Sequence, residues 1–343
     1  MNEAIYTMGI DVGKLWFHLV GIGRNGKCVY KKKVKREKLI ETLVVTMPDL
    51  VGMEACPGSQ YIARKLGQLN IHVRLMAAQF VKPYLNSQKN DFNDAAAIAE
   101  AVRRPTMRFV PVKTQEQLDL QALHRYRERL VRDRTAATNQ IRAFLQENGL
   151  IVPKGRPALK RALPEMIENA ENDLSSPIRR ILHKLYQRWQ SIEEGISEAD
   201  REIKQIAANR DDCRRLLTIP GLGPLNATAL VAAIGNGQEF KNGREVAAWL
   251  GLVPRQHSTG GQTKLLGVTK RGNPYLRKLH IHGARSVTLH THRDRHRIGL
   301  WLNKLESRAH RNVAVVAMAN KLARISWAVL TKETVYRPHP LNS

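Results

Sequence analysis

Acid is scarce in this chain. Its 343 residues include 30 Asp and Glu against 56 Lys and Arg, a formal net charge of +26. A surplus of that size points to a polyanionic partner, of which nucleic acid is the commonest. A ribosomal-type or membrane-surface protein is the blander alternative. Cysteine is scarcer still. Cys28, Cys56 and Cys213 are far apart, odd in number and in no CxxC pair. That spacing excludes a disulfide framework and a thiolate zinc site, and fits reduced cytosolic thiols. No apolar run approaches the roughly 20 residues of a membrane span. The basic residues are spread over the whole chain, which disfavours a membrane-surface role. The first residues lack the charged start, apolar middle and small-residue cleavage site of a signal peptide. Internal repeats, low-complexity tracts, a Walker loop and a GxGxxG fingerprint are all missing.

What remains is a chain able to bury real cores, with 43% hydrophobic residues and a length that favours two or three domains. Residues 1–112 read as α/β. Ile5–Asp11 and Trp16–Ile22 are strand-length apolar runs, and Gly23-Arg24-Asn25-Gly26 is a hairpin turn leading to Cys28–Val34. Helical spacing follows over 38–47, 59–69 and 91–102, with strands over 50–54 and 71–76. Hairpin strands followed by alternating helices and strands predict a mixed sheet of ribonuclease H-like type. Residues 113–208 read as helical. Ile178, Leu182, Leu185, Trp189, Ile192, Ile196, Ala199, Ile203 and Ile206 alternate four- and three-residue spacings, a sustained coiled-coil-like seam. Leu123, Leu130, Ala137, Ile141 and Leu145 mark an earlier helix. The two either pair within one chain or join two chains. Residues 209–343 are mainly helical and the most basic segment.

Four acids stand out against this background. Asp11 closes the run Gly9-Ile10-Asp11, Glu54 closes Val51-Gly52-Met53-Glu54, and Asp91 and Asp94 share a helix start in Lys89-Asn90-Asp91-Phe92-Asn93-Asp94-Ala95. Acids at two strand ends and one helix start can converge on hard cations and serve phosphodiester cleavage, with Asp11 the natural bridging ligand. Each alone is an ordinary cap or surface acid. Further on, Ile219-Pro220-Gly221-Leu222-Gly223-Pro224 has a helix-hairpin-helix pattern. There Gly221, Gly223 and the next helix start would hold a DNA phosphate, unless the turn is merely a tight connection. Ser258 is predicted in a flexible Gly-rich loop, Ser258-Thr259-Gly260-Gly261, among the cations Arg255, His257, Lys264, Lys270 and Arg271, with Arg277 just beyond. Such a serine becomes a nucleophile only with an activating base or metal, and no acid lies near it in sequence. The histidines at 280, 282, 290, 292 and 296 do not have the spacing of a structural zinc site.

Taken together, these residues resemble the DEDD/serine transposases of insertion sequences, which include Piv-type invertases and bridge-RNA-guided recombinases. The anchors are Gly9-Ile10-Asp11, Glu54, Lys89 through Ala95, Ile219 through Gly223, and Ala248-Trp249-Leu250-Gly251-Leu252-Val253-Pro254 through Gly261. The resemblance implies a RuvC-like front domain with Asp11, Glu54, Asp91 and Asp94 binding Mg²⁺, for which Mn²⁺ could substitute. It implies Ser258 as the nucleophile of a covalent phosphoserine link, with Thr259 beside it as a more hindered hydroxyl. It further implies dimerisation through the coiled coil, with two dimers bringing donor and target DNA together. A structured noncoding guide RNA is the expected partner, and the bacterial cytoplasm, at the nucleoid, the expected place of action. The tetrad lacks a serine and the serine loop lacks acids, so the active site is expected to be composite. Two other readings remain open: a RuvC-like metal-only endonuclease, and a non-catalytic basic nucleic-acid-binding protein.

Overall fold

Alternation along two short strands decides how the first sheet is covered. The computed structural model describes residues 4–85, 90–293 and 296–338, and the chain divides into two compact units, 1–115 and 116–343. The first contains β1 (Thr7–Val12), β2 (Trp16–Ile22), β3 (Cys28–Lys35), α1 (Leu39–Thr46), β4 (Leu50–Glu54), α2 (Ser59–Gln68) and β5 (Val73–Met76). It continues with α3 (Ala78–Val81), α4 (Asp91–Ala101) and β6 (Phe109–Val110). The sheet order is β3-β2-β1-β4-β5-β6; β4 runs parallel to β1 and β5, and the remaining pairs are antiparallel. One sheet face carries Met8, Ile10, Leu19, Val51 and Met53, fully out of water against Leu39 and Leu43 of α1 and Leu66 of α2. Side chains two residues apart share a face, so Gly9 and Asp11 of β1 lie on the other.

That other face is stripped of side chains where α4 crosses it. Gly9 and Gly52 are direct partners across the β1–β4 pair. A Cβ on Gly9 would lie 2.0 Å from the Ala95 carbonyl oxygen and 2.5 Å from the Ala99 nitrogen; one on Gly52 would lie 2.9 Å from Val102 Cβ. The helix backbone therefore rests directly on β1, and the side chains of Ile98 and Val102 rest on Gly52 of β4. The helix's own small residues, Ala95 and Ala99, complete the close approach. The strands and helices expected in 1–112 form as read, apart from end shifts of one or two residues. The two-residue strand β6 is too short to leave a periodic signal.

The second unit is mostly helical: α5 (Gln115–Glu147, with Gln115 itself in the first unit), α6 (Arg156–Glu168), α7 (Ser176–Asn209), α8 (Asp211–Leu217) and α9 (Pro224–Ile234). Beyond these come α10 (Gly243–Trp249), a hairpin of β7 (Pro254–Thr259) and β8 (Gln262–Val268), α11 (Pro274–His290), α12 (Arg297–Glu306) and α13 (Arg311–Thr331). Helix α7 starts at Ser175, whose hydroxyl accepts from the Ile178 amide, with Pro177 in its first turn. Its apolar seam is buried at Leu182, Trp189, Ile192, Ile196, Ala199 and Ile203. The partner is α5 of the same chain. Arg127 pairs with Asp200 at 2.5 Å, Arg134 with Glu193 at 3.5 Å, and the Trp189 indole donates to Thr138 Oγ1 at 3.1 Å. Moving from Arg127 to Arg134 on α5 moves back by the same number on α7, so the helices run antiparallel. Of the two pairings left open, the intramolecular one is present.

Helices α8 to α13 enclose a separate core around Leu216, Ala227, Leu230, Leu250, Leu276, Ala284, Leu302, Leu322 and Ala323. Helix α13 corrects one expectation. Its 21 residues include an 18-residue window of mean hydropathy 1.5, long and apolar enough to cross a membrane by composition alone. Half of that window is buried within the protein, because Val315, Met318, Ala319, Leu322 and Ala323 form one wall of this core.

Candidate active site

Asp11 projects from the α4-covered face of β1, and Glu54 ends β4 on the same face, next in register after the Ile10–Met53 pair. Asp91 and Asp94 occupy the first turn of α4, started by Asn90, whose side-chain oxygen accepts from the Phe92 amide at 2.9 Å. The Gly9–Gly52 seat brings that turn down over the strand ends. Ligand-type oxygens of Asp11 and Asp91 come within 4.8 Å of each other there, and Glu54 and Asp94 stand near enough for charge effects within the group. Burial raises the Asp11 pKa above its ordinary value, and the charges of Asp91 and Asp94 raise it further. Burial likewise raises Glu54, followed by the charges of Asp11 and Asp94, with Lys82 opposing. Lys89, which opens this motif in the sequence, lies outside the described residues.

Sequence reasoning missed His18. It is the cross-strand partner of Asp11 in the β1–β2 ladder, so both side chains share one face. Its Nδ1 is 3.4 Å from Asp91 Oδ2, and the ring meets Phe92 edge-to-face at 4.8 Å between centroids. Ligand-type atoms of Asp11, His18 and Asp91 lie within 4.8 Å of one another. The available signal was one polar residue inside the otherwise apolar strand Trp16–Ile22. Cys56, just past β4, is not a thiolate ligand candidate. Burial, then Glu54 and Asp11, raise its pKa. The donor set is oxygen-rich with one imidazole, and burial and neighbouring acids raise the pKa values of Asp11 and Glu54. Those features fit a hard divalent cation held by Asp11, Glu54, Asp91 and Asp94.

Ser258 lies in the second unit, and its surroundings differ from expectation. It belongs to strand β7, not to a flexible loop. Gly260 and Gly261, at φ +57° and +78°, form the two-residue turn that closes β7 onto β8. Ser258 is paired with Thr263, to whose hydroxyl it donates at 3.3 Å, and it accepts from Gln256 Nε2 at 2.8 Å. His257 pairs with Lys264 one step along. Ladder alternation therefore turns both away from the face that carries Ser258. Of the other basic residues, Lys270 sits in the irregular segment after β8 at φ +56°. Arg277 is spent on the backbone, donating to the Leu250 and Arg271 carbonyls at 3.1 and 3.2 Å. Arg255 lies at a ladder irregularity, exposed like Lys264 and Arg271.

The Pro-Gly-x-Gly segment does join two helices, α8 and α9. Gly221, at φ +86°, faces α11; its absent Cβ would lie 2.6 Å from the Gly283 carbonyl oxygen. Its glycine is thus required by packing. Gly223 is exposed with open space around it, and no side chain caps the first turn of α9.

A strand-borne acid cluster under a helix start, in so basic a chain, is suited to metal-assisted phosphodiester chemistry. Comparison with known proteins narrows this. The family described as "Transposase IS116/IS110/IS902 family" matches residues 213–298, and a DEDD transposase family of IS110 type matches residues 8–149. A Pseudomonas aeruginosa protein named "Probable family 20 transposase" is 44% identical over 96% of this chain and 98% of its own length. The transposase for insertion sequence element IS1111A of Coxiella burnetii is 42% identical over 97% and 92%. That for IS1328 of Yersinia enterocolitica is 41% identical over 97% and 98%. The chain belongs to the IS110/IS116/IS902 family of transposases.

Proposed function

We propose that this transposase cuts and rejoins DNA through a covalent phosphoserine intermediate at Ser258, with Mg²⁺ held by Asp11, Glu54, Asp91 and Asp94. The observation that carries the proposal is the placement of four acids at the ends of β1 and β4 and in the first turn of α4, with Asp11 and Asp91 in close approach, in a chain of net charge +26. A bound divalent ion supplies charge relief at the phosphate and lowers the pKa of a coordinated hydroxyl. The sheet order β3-β2-β1-β4-β5 supports reading residues 1–112 as a RuvC-like domain. Residues 209–343 are the serine-bearing domain, and residues 113–208, whose α7 seam is taken up by α5 of the same chain, would dimerise through other faces of that helical region. Two dimers act on donor and target DNA, directed by a structured noncoding RNA.

The serine step is balanced without a cofactor. The Ser258 Oγ–H loses its proton and forms a P–O bond while one P–O bond to a deoxyribose breaks, freeing a sugar hydroxyl. Attack by the hydroxyl of another strand reverses the exchange, returns the proton to Ser258 and rejoins DNA. The number of phosphoester bonds is conserved, so no nucleotide triphosphate is needed. In β7, Gln256 fixes the Ser258 hydroxyl as an acceptor and Thr263 receives its proton-side bond. A base or metal brought to that exposed face would activate it.

The test is a suicide DNA substrate. Wild-type protein should give an SDS-stable protein–DNA adduct that Ser258→Ala abolishes and Asp11→Ala reduces by at least about 100-fold. Cleavage by Ser258→Ala without any adduct would support the metal-only endonuclease instead. Sequencing of RNA purified with the protein tests the guide: a single structured species is expected, and random cellular RNA would refute it.

A further inference from the structure

We propose that His18 is a nitrogen ligand of the divalent-metal centre, making it a mixed imidazole–carboxylate site that takes Mn²⁺ in preference to Mg²⁺. The inference rests on reading the four acids as a metal cage. Four observations carry it. The β1–β2 register places His18 directly across from Asp11, so the imidazole rises from the same sheet face as the bridging acid. Its Nδ1 is 3.4 Å from Asp91 Oδ2, and the ligand-type atoms of Asp11, His18 and Asp91 lie within 4.8 Å of one another. Trans ligands on an ion with bonds of about 2.1 Å are roughly 4.2 Å apart. Small side-chain movements therefore close the set around one ion. His18 is only 8% exposed, so its ring is committed to this cluster and not to water. Phe92, the residue after Asp91 on α4, holds the ring edge-to-face at an interplanar angle of 77°. The same helix turn thus positions both the acid and the imidazole.

The chemistry follows from ligand type. Mg²⁺ keeps oxygen ligands and water, whereas an imidazole nitrogen shifts preference towards first-row transition ions, among which Mn²⁺ most resembles Mg²⁺ in its preference for carboxylates. A histidine confined to orienting Asp91 by hydrogen bonding would leave that preference unchanged. The two roles differ in whether a nitrogen nucleus touches the metal.

Full-length protein loaded with Mn²⁺ and studied by electron spin-echo envelope modulation distinguishes them. Directly bound imidazole gives ¹⁴N modulation that changes in wild-type protein made with ¹⁵N-histidine, a control independent of any substitution. His18→Gln should remove the modulation and weaken Mn²⁺ binding by about tenfold or more, with Mg²⁺ binding changed less than about threefold. Asp11→Asn should remove the same signal, assigning it to this site. Mn²⁺ bound at the Asp11 site without nitrogen modulation overturns the proposal and leaves the carboxylate cage standing. Failure of the full chain to bind Mn²⁺ or Mg²⁺ at that site overturns the cage as well.

Discussion

Asp11 bears most of the conflict in the acidic cluster. Burial and two neighbouring acids raise its pKa, and Glu54 is raised by burial, Asp11 and Asp94. A carboxyl that binds its proton more tightly when folded than unfolded makes stability fall as pH rises from its unfolded value through its folded one. At neutral pH, without metal, both groups therefore weigh against the fold. Asp11→Asn should unfold at a higher temperature than wild type in EDTA. With a divalent ion at 100 times its dissociation constant the order should reverse, because wild type gains about 2.7 kcal/mol and the variant does not. Differential scanning calorimetry in both buffers checks this. Two histidines of the helical unit titrate in the opposite sense. His124 and His280 are buried, and each has its pKa lowered from 6.5 to about 4, chiefly by that burial. His124 accepts or donates at Tyr275 and Thr228, both 3.0 Å away, and gains nothing from a charge. The unfolded chain takes up protons between pH 6.5 and 4 that the folded chain refuses, so stability is lost as pH falls through that window. Each ring is expected to cost on the order of 3 kcal/mol by its lower end. Urea titrations followed by tryptophan fluorescence report it, since Trp189, Trp249, Trp301 and Trp327 all lie in that unit.

At the scale of elements, the seat of α4 on β1 and β4 determines whether the acids meet. Gly9→Ala adds a Cβ 2.0 Å from the Ala95 carbonyl oxygen, a backbone atom that cannot move without the helix. The variant should lose more than about 2 kcal/mol of stability. Its divalent affinity should also fall, although every ligand is retained. Isothermal titration with Mn²⁺ measures that loss, and unchanged affinity would mean that α4 position does not govern the site. In the helical unit, Trp189→Ala empties the α5–α7 seam and should cost about 3–5 kcal/mol. These elements also mark what was legible beforehand. Strands such as Leu50–Glu54 and the α7 seam announce themselves by local period, and Asp11, Glu54, Asp91 and Asp94 stand at element ends that the same period locates. The place of His18 was not legible, because it comes from cross-strand register with Asp11, which no local window contains. Ser258 was misread for a related reason. Gly260-Gly261 marks a loop and a tight hairpin equally well, and only the pairing of β7 with β8 turns His257 and Lys264 to the face opposite the serine.

Across the whole molecule, a surplus of 26 positive charges accompanies a candidate site built from acids. The two act at different ranges. Lys and Arg outnumber Asp and Glu by 19 to 4 over residues 241–343 alone, so a bound polyanion is held at many points. At 0.1 M salt the field of the acidic cluster is screened within about 10 Å. On the proposed function, the cluster would repel only the phosphate that enters it, while the distributed cations would hold the rest of the strand. Binding and cleavage should separate accordingly. Removing divalent ions with EDTA should change overall DNA affinity by less than about threefold, because few of the charge contacts are lost, yet abolish cleavage. If 6–10 phosphates are neutralised, affinity should fall by about 10³–10⁵ between 50 and 200 mM salt. Asp11→Asn in EDTA should keep that salt slope and bind slightly tighter, since one repulsive charge is gone. Filter binding over a salt series, with and without EDTA, measures all three quantities on the same protein. A large loss of affinity on chelation would show that the metal centre anchors DNA and does not merely receive a phosphate already held by the basic surface.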